Sequence, residues 1–416
     1  MSTAPAPSQS PWAAAKRRFM ANVPAKVALV YLLLNAFVAV VGYPLLTDDT
    51  THANFQLVEL PKLAPMTRYI YFLQPIHPQP EQPGWLGYYL QGRTDAHRPL
   101  VTSSVGRTDR STMTADYTDL RIQSQRLSIP EFLLPLDKLA PQSAAWRTET
   151  GRPFFLKEND LDYIGTDGLQ HRVNADSLMD AFHDNHVVRR TFVLGTDTAG
   201  RDLWSRLLLG TRLTLGIGLM AVLVSLVLGV TFGALAGFFR GWIDTGIMWF
   251  VSVVWSVPTM LLAIALAFAL GKGTWQLFLA IGASSWVEVA RIVRGQIFQL
   301  REMQFVEAAQ ALGYSPFRTI FRHVLPNATG PLLIVATANF ASAVLLEAGL
   351  SFLGVGVMPP APSWGGMIRE GYTQVMFDSG AWLAIFPCVA MVLVVISLNL
   401  VGLGLRDAFD PDYDRA

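Results

Sequence analysis

The chain has 416 residues, of which 51% are hydrophobic and 15% charged, and its 32 Lys and Arg balance 31 Asp and Glu. That composition excludes a disordered chain, which needs low hydrophobicity and high net charge, and argues against a nucleic-acid binder, which shows a basic excess. A single cysteine, Cys388 in an apolar run, excludes a disulfide framework or a Cys-based metal centre and reads as a small buried hydrophobe.

Charge is uneven along the chain. Residues 1–46 hold four charged groups, all Lys or Arg, residues 47–194 hold 33 in 148 positions, and residues 208–405 hold 16 in 198. A bilayer-spanning helix needs about 20 mostly apolar residues. Val27–Leu46 is the first such run, preceded by Lys16, Arg17, Arg18 and Lys26. It exceeds the apolar core of a cleavable signal peptide, so an uncleaved first span is expected, with 1–26 as a cytoplasmic N-terminus.

Segment 47–194 has the polarity of a soluble domain. Arg68–Gln74 and Trp85–Gln91 have the aromatic content of strands, and a Pro-rich loop, 75–84, separates them. Phe154–Val173 reads as strand, Asp167-Gly168 turn, strand. Ala175–Phe182 reads as a short amphipathic helix. A small α+β domain is expected here. Within it, His183, Asp184 and His186 form an H-x-x-H group that reads as solvated surface histidines rather than metal ligands.

Five further apolar runs follow, at about Leu213–Phe238, Gly246–Leu270, Trp275–Val289, Gly330–Leu353 and Trp382–Leu405. The fourth is interrupted by Ser284, Ser285 and Glu288. With the N-terminus inside, the inner segments 1–26, 239–245, 290–329 and 406–416 carry twelve Lys and Arg, and the short outer loops 271–274 and 354–381 carry two. Basic residues favour cytoplasmic loops. The expected fold is therefore an all-α polytopic membrane protein with six transmembrane helices, both termini cytoplasmic, and an extracytoplasmic α+β insertion over 47–194.

Several residues in the spans stand out. Gly229, Gly233 and Gly237 lie four apart, so they share one helix face and admit a close neighbour; tight helix packing is the favoured reading over gating. Pro258 removes a backbone hydrogen bond and is expected to kink the third span, either for structure or for gating. Ionisable groups in spans are functional candidates. Glu288, one turn from Arg291, reads as a solvated or paired interfacial carboxylate. Glu347 either lines a pathway or bonds a neighbouring helix. The sequence has no G-x-x-x-x-G-K-[ST] loop, G-x-S-x-G elbow or H-E-x-x-H motif.

The inner segment 290–329 is polar yet helically patterned. Glu307, Ala308, Ala309, Ala311 and Leu312 suit a short helix with small side chains on one side, which Gly313 ends in the left-handed conformation. Ser315-Pro316 suits a cap and first turn of a second helix, and Pro326 is expected to end it. A compact helix–turn–helix of this kind suits docking into a groove on another protein.

That stretch resembles the EAA loop of ATP-binding-cassette importer permeases: Glu307-Ala308-Ala309, Gly313 and Leu325-Pro326 fall at the family's spacing, with His323 at a usually apolar position. The segments Leu194–Asp197, Gly200–Asp202, Ser205-Arg206, Gly210–Arg212, Ala290–Gln296, Glu347–Gly354 and Leu405–Asp407 through Asp410-Pro411 resemble the dipeptide/oligopeptide branch, of the second-permease type. The likeness covers 16–46 and 190–412. Two departures stand out. Trp249 and Ser252 occupy places where the family carries an Arg and a second Asp, and the outer segment is longer than usual.

The resemblance implies the six-span fold of type I importers, with 195–412 as a permease core holding five spans and the cytoplasmic coupling loop at 290–329. It implies half of a translocation pathway for peptides, formed with a second homologous permease in the bacterial cytoplasmic membrane. It also implies two P-loop ATPase subunits, which carry ATP and Mg, and an extracytoplasmic substrate-binding protein. Glu307, Ala308, Ala309, Gly313, Leu325 and Pro326 would couple to the ATPases. No catalytic residue, metal or cofactor is expected on this chain. Pro258 and Glu347 are the candidate pathway or gating residues. A secondary transporter, or a membrane-anchored extracytoplasmic enzyme or sensor, stands as the alternative.

Overall fold

The computed structural model describes residues 11–120, 123–137, 153–375 and 380–409. Asp410-Pro411 of the C-terminal pattern therefore lies outside the described residues. The chain forms two compact units, Met1–Gly42 with Leu207–Ala416, and Tyr43–Arg206.

The helical unit begins with α1 (Pro11–Ala21) and α2 (Val23–Val41). The first apolar run becomes helical four residues earlier than expected, because the Asn22 side chain caps the Ala25 N–H at 3.1 Å and Pro24 occupies the first turn. It also stops sooner. Gly42 takes a φ of +63° as the C-cap, and Tyr43–Leu45 is a separate turn. Ala25 and Ala28 pack with Val401 and Ala408 near the end of the chain.

The strand unit contains three antiparallel three-stranded sheets. Strands β1 (Thr67–Pro75) and β2 (His97–Thr102) pair with each other, and α3 (Trp85–Gln91) lies between them in sequence. The expected strand at 85–91 is thus a helix. Gly84 starts it and Gly92, at φ +82°, closes it by donating to the Tyr88 carbonyl, so the bracketing glycines outweigh aromatic composition. Strands β3 (Ser104–Asp109), β4 (Thr114–Thr118) and β5 (Ser124–Ser128) form a second sheet, followed by α4 (Ile129–Leu133). Strands β6 (Phe154–Lys157), β7 (Asp160–Ile164) and β8 (Gln170–Asn174) form the third, so 154–173 holds three strands where two were expected. Helix α5 (Ala175–Ala181) and β9 (Val187–Phe192) follow, with β9 completing the first sheet beside β1.

Side chains alternate across a strand, and β1 uses both faces. Phe72 is fully buried with Tyr117, Phe132 and Phe182, at ring separations of 5.4 to 6.2 Å. Its neighbour Tyr71 enters a second core with Leu57, Leu60, Val101 and Phe192.

The helical unit resumes in α6 (Leu203–Phe239). The third apolar run is two helices, α7 (Gly241–Trp255) and α8 (Thr259–Leu270), which meet at 89°. Pro258 therefore breaks this span rather than kinking it: its ring and missing N–H stop the helix, and α8 restarts from it. Helix α9 (Thr274–Arg301) runs twelve residues past the expected Val289, because the Ser284 and Ser285 hydroxyls donate back to the Ile281 carbonyl and leave the helix intact. Then come α10 (Gln304–Ala311), α11 (Pro316–Thr319), α12 (Leu325–Asn327), α13 (Thr329–Phe352), α14 (Trp364–Val375) and α15 (Trp382–Phe409). Helix α14 falls in the segment expected as an outer loop. The Ser363 hydroxyl accepts from the Gly366 N–H at 3.1 Å and so opens it. Among the described residues five helices are long and apolar enough to cross a membrane, or six if α7 and α8 make one span.

Candidate functional site

Residues 302–328 fold as one compact element. Helix α10 buries Val306 and Ala309, and Val306 packs against Ala234 and Phe238 of α6 and Val293 and Ile297 of α9, where Ile320 and Val324 join it. Its end is a Schellman cap: the Tyr314 N–H donates to the Ala309 carbonyl and the Gly313 N–H to the Gln310 carbonyl, with Gly313 at φ +76°. The Ser315 hydroxyl then caps α11 at the Arg318 N–H. A wider helical turn over Ile320–Val324 carries the chain through Leu325 and Pro326 to Asn327, so Pro326 sits in the first turn of α12 and does not end the preceding helix. His323, the unusual residue at an apolar position, stacks on the Tyr314 ring at 5.5 Å, and Arg318 covers that ring at 4.2 Å.

The opposite face is open. Glu307 and Ala308 are exposed, and so are Leu312 at 73%, Phe317 at 59% and Phe321 at 68%. Arg322 lies among them, also exposed. A short rigid element with a buried side and an apolar, basic-rimmed outer side has the makeup of a docking surface. Two pairs hold the neighbouring helices. Arg294 grips Asp244 through two bonds of 2.5 and 2.6 Å, and Arg240 pairs with Glu302. Trp249 is 69% exposed and the Ser252 hydroxyl donates to the Met248 carbonyl, so neither side chain joins the Asp244–Arg294 pair.

The three glycines of α6 face α9. A methyl group at Gly229 would lie 2.5 Å from Val289 Cβ, one at Gly233 would lie 2.6 Å from the Ala290 carbonyl, and one at Gly237 would lie 2.7 Å from the Arg294 carbonyl. Gly282 of α9 answers them, with the Ala221 carbonyl 2.6 Å from where its Cβ would be. The backbones approach so closely that only glycine fits, the arrangement that stabilises helix pairs where lipid removes the hydrophobic drive.

At the break between α7 and α8 a cavity of about 230 Å³ opens, lined by Trp255, Thr259, Ser284, Ser285, Glu288, Asn339 and Ser342 among others. Val257 and Thr259 flank Pro258 in this wall. Glu288 is exposed into it and, among the described residues, makes no bond to Arg291. The Arg291 guanidinium instead sits 4.0 Å over the Trp255 ring. Of the two expected readings of Glu288, solvated or paired, no pair with Arg291 forms among the described residues and the side chain is exposed.

Glu347 lies elsewhere. It is fully buried, accepts from the Ser351 hydroxyl at 2.7 Å and has Thr214 and Ser363 beside it. Trp364, nearby in sequence, donates to the Leu207 carbonyl at 3.0 Å, and Gly210 leaves room for its ring. The 210–214 and 347–354 motifs thus meet in a junction of α6, α13 and α14.

The 195–206 motif, in the strand unit, builds an ionic clasp that sequence reading did not assign. Asp197 accepts from the Ala199 and Arg201 N–H groups and pairs with Arg201 at 2.6 Å and Arg206 at 3.2 Å. Asp202 accepts from Thr47, Ser205 and Arg190 at 2.5, 2.6 and 3.0 Å. Gly195 and Gly200, both at positive φ, press against the Leu63 and Leu57 carbonyls. Burial pushes the Asp48 carboxyl above its ordinary pKa, against the hydrogen bonds from Thr50 and Phe55. His183 and His186 turn to separate partners, the Thr108 hydroxyl and the Leu73 carbonyl.

The family described as "Binding-protein-dependent transport system inner membrane component" matches residues 229–415. Among curated relatives, the glutathione transport system permease protein GsiD of Pectobacterium atrosepticum is 38% identical over 218 residues, 52% of this chain and 72% of the relative. The oligopeptide transport system permease protein OppC of Bacillus subtilis is 38% identical over 217 residues, 52% and 70% of the two chains. The dipeptide transport system permease protein DppC of Alkalihalophilus pseudofirmus is 39% identical over 217 residues, 52% and 71%.

Proposed function

The chain belongs to the family of binding-protein-dependent transport system inner membrane components and is a permease subunit of an ATP-driven importer, and we propose that it imports peptides or peptide-like molecules. The named relatives transport glutathione, oligopeptides and dipeptides, which supports that substrate class. In this reading the chain forms half of the pathway with a second, similar permease. Two ATPase subunits power the transporter, the element at 302–328 docks this chain onto them, and an external binding protein delivers the substrate. Helices α7 and α8 count as one span of six. Both termini and 290–329 face the cytoplasm, and the strand unit is the extracytoplasmic insertion. ATP and Mg belong to the ATPases.

The observation that carries the coupling role is the open face with Glu307, Leu312, Phe317 and Phe321, built on an element whose inner side is locked into α6 and α9. Gly313→Val tests it. The position has open space around it, so a side chain there clashes with nothing nearby. The cost is confined to the left-handed backbone, about 1–2 kcal/mol. Transport should fall severalfold while membrane abundance stays near normal, and Glu307→Lys should weaken ATPase recovery with the purified complex. Wild-type ATPase binding and substrate-coupled hydrolysis in both variants would contradict the assignment.

A further inference from the structure

We propose that Glu288 recognises a positively charged amino group on the imported molecule inside the membrane-spanning unit; the proposal rests on the peptide reading above. Four observations converge on it. First, among the described residues Glu288 is the only charged one in the wall of the cavity at the α7–α8 break. An ionisable side chain within spans faces a partner or a cavity, because lipid makes any other placement costly. Second, the cation nearest in sequence is already engaged, with Arg291 over the Trp255 ring at 4.0 Å.

Third, the rest of the wall offers acceptors. The Ser284 and Ser285 hydroxyls give their protons to the Ile281 carbonyl, so they present lone pairs. The Asn339 amide donates to Ser225 at 2.8 Å, leaving its carbonyl oxygen. Fourth, the cavity lies at the 89° bend between α7 and α8 beside Pro258, and discontinuous helices line substrate sites in secondary transporters. An ammonium group carries three donors and one positive charge, which matches a carboxylate ringed by hydroxyl and amide oxygens. A terminal carboxylate would meet like charge and acceptors only.

The test uses the complete transporter, with its partner permease, ATPases and binding protein, in sealed proteoliposomes. Uptake is measured for one peptide with a free amino terminus and for its N-acetylated form, each supplied on saturated binding protein. The ratio of the two rates cancels any effect of a variant on assembly. Glu288→Gln removes the carboxylate's charge and should lower the free-to-acetylated ratio by about tenfold, and Glu288→Asp should restore part of it. A ratio equal to wild type in Glu288→Gln overturns the proposal. So does a wild-type ratio that collapses when Na⁺ and K⁺ are replaced by a bulky organic cation, since the carboxylate would then hold an inorganic ion. Wild-type vesicles that import neither peptide refute the peptide reading itself, and the subsite with it.

Discussion

Among the described residues, Asp48, Asp162, Asp197, Arg201, Asp202 and Arg206 are buried charged groups of the strand unit, whereas the helical unit buries Glu347 alone. The strand unit joins its base with ion pairs and backbone bonds to carboxylates. The helical unit joins its helices by glycine-to-backbone contact, and most of its other charges lie at helix ends, in the 290–329 element and in α14, with Glu288 in a cavity. The difference follows from the surroundings each sequence is built for. A unit with water outside can bury charges that are fully paired, whereas lipid outside favours small residues and close approach. Where the helical unit does hold an ionisable group against that trend, as at Glu288, a function is the natural explanation.

Two substitutions sharpen this contrast. Asp197→Ala removes the acceptor of two arginines and two backbone N–H groups and leaves the arginines buried, a change that costs about 3–5 kcal/mol. Hydrogen exchange on the purified transporter should show loss of protection across 43–206 with little change in 213–301. Uniform loss across both regions would mean that the clasp does not belong to the strand unit alone. Gly233→Val is the mirror case, with a smaller effect. The added side chain meets the Ala290 carbonyl and Val293, and overpacking costs about 1–3 kcal/mol. Exchange should rise at the α6–α9 contact and leave the three sheets as they were. Unchanged protection in 274–301 would show that the two helices have room to move apart without cost.

The helical unit was largely legible from sequence because long apolar runs have few alternatives, and the glycine spacing, Gly313 and the Ser315 cap each carry a local backbone requirement. The strand unit was less so. Trp85–Gln91 has aromatic residues suited to a strand, but the signals that decide it are the flanking Gly84 and Gly92. Helix α14 hid behind Gly365, Gly366 and Gly371, and Gly365 and Gly371 are small because Ala348 and Ala384 press on them. Pro258 marked a bend, but its 89° angle and the cavity beside it depend on α9 and α13, residues 25 to 90 positions away in sequence. Burial of Glu347 depends likewise on Ser351 and on the α6–α14 junction. Chemistry that is local in sequence was readable, and chemistry assembled from distant helices was not.

In the proposed topology the 302–328 element faces the ATPases in the cytoplasm and 47–194 lies outside. Single cysteines replacing Leu312 and Arg107, both exposed, in a Cys388→Ala background test it most directly. In intact spheroplasts a membrane-impermeant thiol reagent should label Arg107→Cys and leave Leu312→Cys unlabelled. Permeabilised membranes stripped of the ATPases should label both. Labelling of Leu312→Cys in intact spheroplasts, or protection of Arg107→Cys there with labelling only after permeabilisation, would contradict the account.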